Sequence, residues 1–377
     1  MKIIILFCCF IVAGASCTAG KKTEVAVEAF AYPEHFLSSA EKIHPARFPS
    51  LISAACDFEL SRKDVSWFGR LEKNNIPAYP GNTTALDAVP IPGKQNLFAA
   101  FRPVGVSLLG KSGKIYFKYY LSGATSLKIE LSVRDGERTG GMVITGLTAD
   151  HWSEAAIDLG LLAGSDNAPV SFAGEKLNYL SFLAEREDKD RPLRFIIDDI
   201  IVFEEEKGIA EPSLKFPERV ILLENFDNEE QHSLWFDSYR IERVSTENEP
   251  FRGAGKAVAD KNGPGRRIRV SIDPPQHVGA VTRLSFRLYL KETSSLQVQI
   301  FDLTDMDNRH LVLKNLPQDK WQTINLNLTA DAVRNDGTVT AFASGHLVDD
   351  IFFFIPGPVK GAEFLIDDLV LYDEGSR

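Results

Sequence analysis

Apolar and polar residues alternate with a period of two along most of this 377-residue chain. Leu127, Ile129 and Leu131 alternate with Lys128 and Glu130, and Leu296, Val298 and Ile300 alternate with Gln297 and Gln299. Successive side chains of a strand point to opposite faces, so each run predicts a strand with one face in a core and one in water. The stretches VITGLTADHWSEAAIDL and VLKNLPQDKWQTINLNL each read as strand, turn, strand. Neither half of the chain contains a long segment with the helical period.

The pattern also repeats. Lys114–Leu159 lies over Arg283–Leu328 without a gap, matching Phe117 with Phe286, Tyr120 with Tyr289, Leu127 with Leu296 and Trp152 with Trp321. The same offset carries Asp198-Asp199 onto Asp367-Asp368. At the front, CDFELSRKDVSWF falls on ENFDNEEQHSLWF, one residue out of phase. The chain therefore reads as a duplication. Short strands with polar turns, about 150 residues per copy, predict an all-β protein of two tandem antiparallel jelly-roll β-sandwiches. Residues 51–206 form the first and 218–377 the second, joined by a charged, proline-bearing linker at 207–217. Residues 18–50 carry no clear strand pattern and are expected to form a tether with one or two helical turns.

The closing strand of each copy holds a doubled carboxylate in an apolar run, LRFIIDDIIVFEEE and AEFLIDDLVLYDEG. An unpaired buried charge costs several kcal/mol, on the order of the desolvation penalty of the group. Two solutions are open: a pair at the sandwich rim bonded to loop amides, or a hard cation taking six to eight oxygens, as calcium does. The opening motif offers a further acid in each copy, Glu59 in DFE and Asp227 in NFD. Pairing of first and last strands brings these acids toward the aspartates of their own copy.

DFE…W near the start, W…AIDL or W…NLNL in the middle, and F-I/L-I-D-D-I/L at the end resemble the galactose-binding-like jelly-roll carbohydrate-binding modules. The resemblance covers both copies, essentially Cys56–Phe203 and Glu224–Tyr372. It implies a structural calcium held by Glu59 with Asp199 and by Asp227 with Asp368, Asp198 and Asp367 being the alternatives. Asp227 stands where that family more usually has glutamate.

Net charge is −10, which argues against phosphate backbones and anionic membrane surfaces as partners, and so against nucleic acid. The N-terminus MKIIILFCCFIVAGASCTAGKK has a basic Lys2, an apolar run and small residues up to Cys17, the grammar of an export signal. Gly14-Ala15-Ser16-Cys17 resembles a bacterial lipobox, with Gly14 where leucine is usual. The resemblance implies lipidation of Cys17 and contact with a membrane only through that lipid, on an exported envelope or outer-membrane lipoprotein. The alternative is ordinary cleavage near Ala15 or Ala19, giving a secreted or periplasmic protein. Cys56 is then the one cysteine of the folded body, so no disulfide framework and no zinc thiolate site is available.

Signals of catalysis are thin. The seven histidines include no HExxH, and neither GxSxG nor GxxxxGK occurs. DLTDMDN, Asp302–Asn308, lacks the glycine and distal glutamate of an EF-hand and reads as a polar hairpin turn. Sugar binding on a sandwich uses exposed aromatic faces with amides and acids reading hydroxyls. Trp67, Trp235, Tyr239 and Tyr116 are the candidates, whereas Trp152 and Trp321 are assigned to the core. These features predict non-catalytic binding of a polysaccharide or glycan. Two alternatives stand beside it: a structural or adhesive envelope protein, and a polysaccharide-degrading enzyme with convergent acids beside an arginine or histidine in one copy only.

Overall fold

The computed structural model describes residues 32–59, 65–73, 84–92, 96–103, 109–110, 113–133, 138–205, 214–226, 241–245, 253–257, 267–338, 342–357 and 360–374. Nearly all of its regular structure is β-strand, in four sheets that form two sandwiches. Single turns at Leu159–Leu161 and Leu328–Asp331 are the helical segments among the described residues, capped by the Asp158 and Asn327 side chains.

In each half the closing strand lies in the middle of one sheet. Arg194–Glu204 pairs antiparallel with Gly113–Ser122 on one side and with Leu51–Cys56 and Thr84–Asp87 on the other. Glu363–Glu374 does the same with Thr282–Lys291 on one side and with Pro217–Glu224 and Gly253–Ala257 on the other. Trp152–Asp158 and Gln322–Asn327 extend these sheets at equivalent edges. The opposing sheets share the order of their main strands. Arg138–Thr145, Leu127–Val133, Leu177–Glu185 and Asn96–Pro103 correspond to Asp307–Leu313, Leu296–Asp302, Leu347–Phe354 and Arg267–His277. Left-handed backbone recurs as well, at Phe58 and Phe226, Asp150 and Asp319, and Asp199 and Asp368. The expected duplication is therefore visible as repeated topology and repeated turns.

Inward positions of each half close a separate core, with Phe117, Ile129, Phe182 and Phe195 in the first and Phe286, Val298, Phe353 and Phe364 in the second. A third cluster joins the halves: Ile52, Tyr116, Ile201 and Phe203 pack against Phe216, Val220, Val370 and Tyr372. Phe216 is its hub, edge-on to Phe203 at 4.8 Å and to Tyr116 at 5.2 Å.

The expected helical turns before residue 50 are absent from its described part. Glu34–Phe36 is instead a strand pairing parallel with Val143–Thr145. Tyr32 and Leu37 are buried against the first half, so burial of apolar side chains fixes this segment to the sandwich. Residues 1–31, with Cys17, lie outside the described residues.

Candidate functional site

The doubled aspartates make a bulge. Asp198 Oδ1 accepts the Asp199 N–H at 2.8 Å, and Asp367 Oδ1 accepts the Asp368 N–H at 2.8 Å. Both second aspartates are left-handed, at φ 45° and 47°, a conformation that aspartate tolerates better than most residues. The strand register shifts at the same point in both halves, as a β-bulge requires.

A cation from the adjacent strand answers the carboxylates. Lys118 Nζ lies 2.6 Å from Asp199 Oδ2, with both side chains at most 2% exposed. Arg287, the equivalent residue of the second copy, lies 3.4 Å from Asp367 Oδ2 and 3.4 Å from Asp368 Oδ2. Burial, and then the Asp199 charge, pushes the Asp198 carboxyl well above the ordinary range.

These residues fit calcium poorly. The expected partner Glu59 turns away beyond left-handed Phe58 and accepts the Thr84 N–H at 2.6 Å. The strand register, Ile200 opposite Cys56, brings Asp57 beside the pair in its place. A hard divalent cation needs a shell of oxygens, whereas an ammonium already sits against Asp199 in a sealed space. In the second copy a guanidinium shares both carboxylates, and Asp227 lies outside the described residues.

A second acidic cluster is also filled by protein cations. Asp302 Oδ2 accepts from Arg309 Nε at 2.9 Å and lies 2.9 Å from His346 Nδ1. Asp305 Oδ2 accepts from Arg309 at 2.8 Å and Arg334 at 3.1 Å. Arg309 itself is buried, with its guanidinium 4.8 Å from the Phe342 ring centroid. Burial opposes ionisation of Asp302, but the hydrogen bonds from His346 and Arg309 outweigh it and hold the carboxyl below its ordinary value. The segment is a hairpin turn between paired strands, as its sequence predicts.

The aromatic candidates separate. Tyr116 is 0% exposed, clamped between the halves with its hydroxyl donating to Glu154 at 3.0 Å. It presents no ring face to a ligand, so the ligand-contact reading is corrected to a packing role. Trp67 is half-buried, edge-on to Phe58 at 5.8 Å. Trp235 and Tyr239 lie outside the described residues. Trp152 and Trp321, expected in the core, are half-buried on an outer sheet face beside Tyr120 and Tyr289. Alternation places them there, because Ala155, Ile157 and Leu326 take the inward positions.

The outer face of the second half's four main opposing strands carries the constellation that the sequence reading missed. Its inward residues are Ile268, Val270, Val298, Ile300, Ile351 and Phe353, so their neighbours point away from the core. Register then sets Arg267, Phe354, Gln297 and Val312 in one cross-strand row. Arg269, Phe352, Gln299 and His310 form the next. The Arg269 guanidinium lies 5.1 Å from the Phe352 ring centroid and pairs with Asp350. His310 Nδ1 is buried without a hydrogen-bond partner among the described residues. Asp349, at the rim, is pushed up to about 6 by burial and then by the adjacent Asp350 charge. Two rings, two amides and two guanidiniums on a half-exposed surface can stack on apolar ring faces and exchange hydrogen bonds with hydroxyls.

The equivalent face of the first half is closed by the chain itself. Lys128 and Glu130 replace Gln297 and Gln299, and Tyr32 covers them, its hydroxyl donating to Glu130 at 3.1 Å. The Lys128 ammonium lies 4.5 Å from the Tyr32 ring centroid. Gly141 permits this approach, since a Cβ there would meet the Tyr32 ring at 2.7 Å.

No protein-family model matches the chain, and no curated protein matches it. Among solved structures it is similar to the N-terminal CBM22-1–CBM22-2 tandem domain of Xyn10C from Paenibacillus barcinonensis. That match has 12% identity over 88% of this chain and 99% of the other, with a TM-score of 0.32. TmCBM61 in complex with β-1,4-galactotriose matches at 12% identity over 38% of this chain and 90% of the other, with a TM-score of 0.25. A Paenibacillus xanthan lyase matches at 9% identity over 89% of this chain and 27% of the other, with a TM-score of 0.23. Likenesses this low leave function to be argued from the site.

Proposed function

We propose that the protein binds a polysaccharide or glycan, without cleaving it, on the outer face of the second sandwich. The observation that carries this reading is the row Arg269, Phe352, Gln299 and His310 across four hydrogen-bonded strands, with a parallel row beside it. Phe352 and Phe354 supply apolar faces for the C–H side of sugar rings, and Gln297 and Gln299 both donate to and accept from hydroxyls. The charge-bearing groups sit at one side of the rows, so a neutral chain crosses the strands with little desolvation of formal charge.

Cleavage is the second reading, favoured by the raised pKa of Asp349 beside Asp350 and Arg269. Carboxyls that flank a glycosidic bond stand about 5–5.5 Å apart in retaining enzymes and about 6.5–9.5 Å apart in inverting ones. Asp349 and Asp350 are instead consecutive on one strand, with Asp350 paired to the Arg269 guanidinium, an arrangement that does not set two carboxyls on either side of a glycosidic bond. Binding is the better account.

The N-terminal signal and Cys17 support export and lipid anchoring at the cell envelope. The cations Lys118 and Arg287 support a fold that stands without calcium. A glycan array probed with the full chain, with and without EDTA, tests the function. The expected result is binding to a neutral polysaccharide that survives the chelator. No retention on any glycan overturns the proposal.

A further inference from the structure

The duplication exposes a difference between two equivalent sheet faces. In the first half, Tyr116 lies opposite Ala156 and Ile201, and Phe216 fills the space above it. The equivalent residues of the second half are Ser285, opposite Asn325 and Val370. A large ring has become a hydroxymethyl group and a methyl has become an amide. The result is a cavity of about 410 Å³ beside the seam, walled on its far side by Phe48, Leu214 and Leu223.

Its polar groups converge from one sheet. Ser285, Arg287, Thr323 and Asn325 stand on neighbouring strands, with Asp368 beside Arg287. Asn325 Oδ1 is buried and has no hydrogen-bond partner among the described residues. An amide oxygen sealed in this way costs about 1–3 kcal/mol until a donor reaches it. One guanidinium faces the two carboxylates Asp367 and Asp368, so the local charge disfavours an anion, and Arg287 itself disfavours a cation. The volume suits a ligand the size of one or two sugar rings.

We infer that this cavity is a second binding site, for a neutral, hydroxyl-rich small ligand with one apolar face, of which a monosaccharide unit is the fitting class. A hydroxyl donates to Asn325 Oδ1, vicinal hydroxyls bridge Arg287 and Asp368, and the C–H face rests on the Phe48 and Leu223 wall. The inference is independent of the sheet-face reading, because no residue is shared between the two sites.

Saturation-transfer NMR on the full chain with D-xylose, D-galactose and D-glucose tests it, followed by calorimetric titration. Ser285→Tyr rebuilds the first half's filling, Asn325→Ala removes the free acceptor, and Phe352→Ala alters only the sheet face. At least one sugar is expected to bind with a Kd on the order of millimolar. Measured in a Phe352→Ala background, which disables the sheet face, Ser285→Tyr should abolish that binding and Asn325→Ala should weaken it about tenfold. Circular dichroism confirms that each variant is folded, and the smaller Asn325→Ala change serves if Ser285→Tyr does not fold. Binding that Asn325→Ala leaves undiminished, or no saturation transfer from any of the three sugars, overturns the inference. Loss on Phe352→Ala alone would assign the binding to the sheet face and equally overturn it.

Discussion

Lys118 Nζ and Asp199 Oδ2 are 2.6 Å apart in a space almost closed to water, and Lys118 also donates to the Glu218 carbonyl at 3.1 Å. One ammonium therefore answers Asp199 and ties the first half to the first strand of the second. Arg219, on the same strand, donates to Asp373 Oδ2 at 2.7 Å and lies within reach of the Asp57 and Asp199 charges.

Removing one partner of a buried pair costs about 3–5 kcal/mol, because the other charge is left uncompensated. Lys118→Met is expected to lower stability by that amount in urea unfolding. Adding Asp199→Asn should restore most of it, since it removes the carboxylate that Lys118 faces. EDTA should leave the midpoint of the unmutated chain unchanged. A midpoint that falls with chelator would show that a metal, and not Lys118, holds the seam.

Much of the fold was legible in the sequence, and the reasons are local. Period-two alternation at Leu127–Leu131 and Leu296–Ile300 depends only on near neighbours. A constant offset between halves needs no structure at all. What the doubled aspartates face was not legible, because Lys118 and Arg287 sit far away in sequence on a strand whose register no pattern fixes. Tyr116 looked like an outward aromatic, and it is one within its own sheet. Phe216, from beyond the linker, is what covers it. Gln297 and Gln299 read as ordinary solvent-facing residues. The signal was their neutrality, where the first copy has Lys128 and Glu130, together with phenylalanines at the outward positions 352 and 354 of an FFF run.

Asp349 carries a pH dependence of definite sign. Its folded pKa is raised from 3.8 to about 6, so the folded state holds its proton more tightly than the unfolded chain does. The associated stability is fully present below the unfolded pKa near 4 and is lost as pH rises through about 6. Asp349→Asn is therefore expected to raise stability at pH 8 by on the order of 1 kcal/mol, after discounting for partial solvent exposure. The gain should vanish near pH 3.5. Thermal melts across that range measure it, and an equal effect at both ends would contradict the assigned cause.

The hairpin at Asp302 behaves oppositely. Its folded carboxyl titrates below the ordinary value, so its contribution is present above the unfolded pKa near 4 and is lost as pH falls through the lower folded value. Asp302→Asn should destabilise the protein at pH 7 by about 3 kcal/mol or more, because Arg309 is left buried with half its partners. The penalty should shrink as the solution is acidified toward pH 2. Urea midpoints at the two pH values read this directly, and a penalty independent of pH would argue for packing rather than charge.

The central claim is that the Phe352 face recognises sugar. Calorimetric titration of a neutral oligosaccharide, chosen from the array, into the full chain and into Phe352→Ala tests it most directly. Aromatic contacts are worth about 0.5–1.5 kcal/mol, so the account predicts a loss of affinity of about two- to twelvefold with an unchanged melting temperature. Undiminished binding by a folded Phe352→Ala protein would contradict it.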